Sequence, residues 1–185
     1  MEQIKILFFA LASFFGIEDG RIASEKTTIT IYPQNKEIEI IQEGLFTVIQ
    51  TKKDSTLVLE QWNKILDVKR KNTAWSKELN NFPVKSFNLK TINNVIQPHL
   101  TLNYIKEKDL EALGIWYSEE KNEFSINNIP RDNIKTDDGK LKGNYWVFNA
   151  KNTITFTIEP FLQMPEDYKK LRRPLKELLQ TENKH

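Results

Sequence analysis

The chain has 185 residues, 39% hydrophobic and 28% charged, with 27 basic against 25 acidic side chains and a net charge of +2. That length supplies one domain with a sizeable core, and the balance leaves no long acidic or basic tail. Neither does it hold the concentrated basic excess of a dedicated nucleic-acid binder, so no nucleic-acid partner is expected. There is no cysteine, which excludes disulfides, thiolate nucleophiles, iron–sulfur clusters and cysteine zinc sites.

The first predicted element is the apolar run Ile4–Phe15, followed at once by the charged turn Gly16–Arg21. Three readings of residues 1–24 compete. As a secretory signal it has an apolar middle, but Lys5 is offset by Glu2. The small-x-small cut at Ala10–Ala12 would truncate that middle, and Ile22-Ala23-Ser24 offers a second cut before Glu25. As a membrane anchor it is too short, since a spanning helix needs about 20 apolar residues. The third reading is a buried first helix or strand; a helix would put Leu7, Leu11, Phe14 and Phe15 on one side and Phe8, Phe9 and Ala12 on the other, which demands burial all round. The signal is the expectation, the buried element its alternative, and residues 25–185 form a single domain either way.

Two strands follow. Thr28, Thr30 and Tyr32 alternate with Ile29 and Ile31, Pro33–Lys36 turns the chain, and Ile38 and Ile40 alternate with glutamates. Gly44 within the strand pattern suggests a bulge. Asp54-Ser55 reads as a helix N-cap, and Val58, Leu59, Trp62, Ile65 and Leu66 recur at helical spacing over Thr56–Lys69, ending on the basic run Lys69-Arg70-Lys71. A shorter helical piece is expected at Ala74–Leu79, stopped by Asn80–Pro83.

Strand patterns return from Val84 and again over Leu100–Ile105. Ile115–Ser118 and Glu123–Ile126 flank a hairpin turn. Asp138-Gly139 signals a turn before the aromatic segment Gly143–Phe148. Asn149–Asn152 then turns into Ile154, Phe156 and Ile158, read as the second strand of a last hairpin. A C-terminal helix opens at Pro165, carries Tyr168, Leu171, Leu175, Leu178 and Leu179 as its stripe, and is kinked or split by Pro174. The expected fold is α+β: an antiparallel, hairpin-rich sheet packed by a central helix and a C-terminal helix.

Chemistry is sparse. His99 is the one internal histidine and His185 is the last residue, so two-histidine zinc motifs are impossible, and no Gly-x-Ser-x-Gly elbow presents a serine. The pairs Glu119-Glu120 and Asp137-Asp138 fall in expected turns and lack the facing geometry of paired acid catalysts. Residues at the first and third ligand positions before Gly139, Ile134 and Thr136, rule out a calcium loop. Glycine phosphate loops are absent. No catalytic, metal or cofactor site is expected.

Two aromatic dipeptides remain, Trp116-Tyr117 and Tyr145-Trp146. Neighbours on a strand point to opposite faces, so each pair places one ring on each side of its sheet. An open face would then offer one ring of each pair to a partner. The C-terminal helix also gathers Lys169, Lys170, Arg172, Arg173 and Lys176. The resulting expectation is a non-catalytic bacterial binding protein exported to the periplasm or cell surface, taking a protein or polysaccharide partner without a transmembrane span. The alternative is a cytoplasmic interaction protein of the inhibitor or immunity kind. A third is a small hydrolase with two carboxylates beside Trp116 or Trp146.

Overall fold

A computed structural model describes residues 6–69 and 74–184. Glu2, Lys5, Arg70, Lys71 and His185 lie outside the described residues. The chain is α+β, and its antiparallel strands divide into two sheets rather than one. The larger sheet contains β1 (Ala23–Tyr32), β2 (Glu37–Val48), β3 (Val84–Ile92), β4 (Val95–Asn103) and β9 (Ile154–Ile158), in the order β3-β4-β2-β1-β9. The smaller holds β5 (Ile115–Ser118), β6 (Glu123–Asn127), β7 (Gly139–Lys142) and β8 (Tyr145–Asn149), in the order β5-β6-β8-β7. Helix α1 (Lys52–Lys69) packs on the larger sheet.

The expected last hairpin is corrected: β8 and β9, though joined by a four-residue turn, belong to different sheets. β9 pairs with β1, setting Phe156 opposite Ile29 and Thr155 opposite Thr30. Asp138-Gly139 is not the hairpin turn either. Gly139 opens β7, and the chain reverses at Gly143-Asn144, with Gly143 at φ 61°. The expected bulge at Gly44 is absent: Lys26 opposite Glu43 and Ser24 opposite Leu45 keep one register. Gly44 sits at φ 65° instead, and a side-chain carbon there would come within 2.8 Å of Glu25 Cγ.

Helix α1 starts earlier than the Asp54-Ser55 signal implies. Thr51 caps it: Thr51 Oγ1 accepts the Asp54 N–H at 3.3 Å, and Asp54 Oδ2 accepts the Thr51 N–H at 2.8 Å. Val58, Trp62 and Ile65 then point into the core. The C-terminal helix is split, as Pro174 demands, into α2 (Glu166–Leu171) and α3 (Leu175–Glu182). The three-residue strand β10 (Arg172–Pro174) between them pairs with the end of β2, Arg172 opposite Val48.

The first segment is inside the domain. Ile6, Leu11, Ala12, Phe14 and Phe15 are buried with the inner face of the large sheet and α1. It forms neither an α-helix nor a strand: residues 6–10 are non-helical, and a short 3-10 turn covers Leu11–Phe15. The turn at Phe8-Phe9, closed by Ala10 N–H donating to Leu7 O at 3.0 Å, leaves backbone carbonyls that burial makes costly unless paired. Buried polar groups of β1 and β2, side-chain and main-chain, satisfy them. Phe8 O accepts from Gln42 Nε2 at 2.7 Å and Thr27 Oγ1 at 3.2 Å, and Phe9 O accepts the Ser24 N–H at 2.9 Å. Phe14 O accepts the Ser76 N–H at 2.8 Å. The following turn is clamped to α1 by Gln61, which accepts the Arg21 N–H at 2.9 Å and donates to Asp19 O at 3.1 Å.

Candidate functional site

The small sheet separates its aromatic residues by strand alternation. Ile115, Phe124, Ile126 and Phe148 lie on one face and are buried. Tyr117 and Trp146 share that face and pack against the core. Their polar atoms are satisfied: Tyr117 OH donates to Asn122 Oδ1 at 2.9 Å, and Trp146 Nε1 donates to Asn128 Oδ1 at 3.2 Å. The Tyr117 ring meets Phe124 at 5.2 Å between centroids.

Trp116 and Tyr145 are on the opposite, outer face with Ser125 and Val147. Trp116 is half-buried and Tyr145 is 47% exposed. Two strand spacings and two residues of rise put their Cα atoms about 12 Å apart. Lys140 and Lys142 of β7 join them, opposite Val147 and Tyr145. Lys142 reaches Glu123 Oε1 at 3.3 Å, whereas Lys140 has no ion pair among the described residues. The face is therefore aromatic and net positive, on strands of four or five residues.

The other candidates take structural positions. His99 stands on the outer face of the large sheet between Asn88 and Ile41, with Nε2 3.3 Å from Gln97 Oε1. Burial, helped by the Lys90 charge, pulls its pKa below the ordinary histidine value. Asp138 Oδ2 accepts the Thr155 N–H at 2.7 Å and so ties the loop before β7 to β9. Glu119 and Glu120 lie in the β5–β6 turn.

Carboxylates do converge elsewhere. Glu25, Glu43 and Glu159 line an open recess of about 370 Å³ with Phe161, Lys26 and Arg172. Each has a cation: Glu25 pairs with Arg172, Glu43 with Lys26 at 3.4 Å, and Glu159 with Lys135 at 2.9 Å. That pairing leaves none of the three without a cationic partner. It also withdraws Arg172 from the expected basic helix side, since its guanidinium lies 4.0 Å from the Phe46 ring centroid. Among the described residues, no three histidine, aspartate or glutamate side chains are grouped to hold a metal ion, and no helix is long and apolar enough to cross a membrane.

Compared with protein families, curated proteins and solved structures, the chain matches none.

Proposed function

We propose that the chain is a non-catalytic interaction protein that offers the outer face of its small sheet to an acidic surface on a protein partner. One observation carries this reading: Trp116 and Tyr145 face outward beside Lys140, while Tyr117 and Trp146 are held inward. An outward sheet face with large rings and an unneutralised cation suits a protein surface better than an enclosed small molecule. The burial of Ile6, Leu11 and Phe14 supports retention of the first segment in the working chain, as in an inhibitor or immunity protein, over its removal on export.

A photo-crosslinking residue in place of Val147, in the full chain expressed in its own host, tests the face. The expected result is one discrete adduct that disappears when Trp116→Ala and Lys140→Glu are added, with the melting temperature unchanged. An adduct indifferent to those changes overturns the reading. Retardation by an anionic polysaccharide gel that depends on Trp116 and Tyr145 would replace the protein partner with a polymer. Mass spectrometry of the isolated protein reads retention: a chain beginning at Glu25 would restore the exported reading.

A further inference from the structure

The two edges of the large sheet are treated differently. The β9 edge is sealed: Lys135 and Thr157 exchange backbone hydrogen bonds at 3.0 and 2.9 Å, Glu159 N–H donates to Asp132 O at 3.0 Å, and Thr136 Oγ1 donates to Thr155 O at 2.7 Å. The β3 edge is bare. Its nine residues pair with β4 on one side, and among the described residues no hydrogen bond reaches its backbone from the other. Such an edge is a template for another strand. Lys85, one of its two lysines, is folded back, donating to Phe82 O at 2.6 Å and Leu79 O at 3.3 Å.

We infer that β3 pairs antiparallel with β3 of a second copy, about a twofold axis at Asn88. The sequence Val-Lys-Ser-Phe-Asn-Leu-Lys-Thr-Ile is close to a palindrome in chemistry. In that register Val84 faces Ile92 of the other copy, and Phe87 faces Leu89. The two exposed apolar ends, 57% and 46% exposed, thereby cover each other. Lys85 faces Thr91 and Lys90 faces Ser86, so no lysine opposes a lysine, and like charges directly opposed would be destabilising. Sliding the axis to Phe87 sets Lys90 against Val84 and Lys85 against Leu89, losing both apolar matches. Residue i meeting j while j meets i is the self-complementarity a twofold interface requires. The product is a continuous sheet across two subunits with both β3 edges removed.

The absence of cysteine makes the test clean. Light scattering over a concentration series should give twice the 21.8 kDa chain mass. Under mild oxidation Asn88→Cys should link rapidly to itself, because directly opposed Cα atoms lie about 4.5–5.5 Å apart. Ser86→Cys and Lys90→Cys should not, each being about 13 Å from its own copy. Val84→Lys with Ile92→Lys should raise the dimer Kd about tenfold or more, and Val84→Glu with Ile92→Lys should restore it. A chain that stays monomeric at every concentration overturns the inference and leaves this edge to an extended segment of another protein. Equal linking of all three cysteine variants overturns it as well.

Discussion

Phe14→Ala probes the first segment where it is deepest. Phe14 has no exposed surface, lies in the common core, and its carbonyl holds the Ser76 amide at 2.8 Å. Truncating a buried phenylalanine costs about 3–5 kcal/mol, through lost burial and the cavity left behind. The backbone bond to Ser76 survives the change, so packing alone is tested. In a domain of this size each kcal/mol moves the melting temperature by about 2–4 °C, and a fall of about 10 °C is expected. Urea unfolding followed by tryptophan fluorescence, beside calorimetry, measures both quantities. Leu7→Ala, at a residue 43% exposed, is the matched control and should stay within about 0.5 kcal/mol of the parent. If Phe14→Ala loses no more than Leu7→Ala, the segment is not part of the cooperative core.

Three further outcomes follow from individual contacts. Gly44→Ala should destabilise by about 1–2 kcal/mol, because the residue is at φ 65° and a side chain would displace Glu25 from Arg172; equilibrium unfolding measures it. Tyr104→Phe should leave stability unchanged or raise it by about 1 kcal/mol, since among the described residues the buried Tyr104 hydroxyl has no hydrogen-bond partner. Burial pushes that phenol up to about 12, so an alkaline absorbance titration should find it late among the tyrosines. The Thr51 and Gln50 amides hold the Asp54 carboxyl below its usual pKa. Its contribution is then complete above the unfolded value of about 3.9 and lost as pH falls through the lower folded value. Unfolding curves between pH 6 and 2 should show a smaller acid loss for Asp54→Asn than for the parent.

Much of the fold was legible from alternation. Ile29 and Ile31, Ile38 and Ile40, and Ile154, Phe156 and Ile158 all enter the core as their spacing implies, and Pro174 divides the C-terminal helix. Alternation specifies which face is buried but not which strand is the partner. That is why β9 reads as the mate of β8, its neighbour in sequence, while it pairs with β1. A two-residue turn at Asn93-Asn94, both with positive φ, joins β3 to β4 and was a signal available in the sequence but missed. For the candidate face, strand geometry requires that each aromatic pair be split. Which ring faces solvent depends on how the small sheet docks on the large one, where Phe148 meets Phe156 at 5.9 Å, and no local pattern encodes that contact. The first segment is legible only in part. Its apolarity fits either a signal or a core, and the groups that receive it in this structure, Gln42, Thr27 and Ser24, lie on distant strands where they read as ordinary polar positions.

Whether residues 6–15 belong to the folded domain is read most directly by native-state hydrogen exchange on the full chain. The Ser24 amide is bonded to Phe9 O and the Ser76 amide to Phe14 O, so both depend on the docked segment. They should exchange only through global unfolding, at the rate of the core strand amides of Ile29 and Ile40. Fast exchange of Ser24 and Ser76 while Ile29 and Ile40 remain protected would contradict the placement of the first segment in the core.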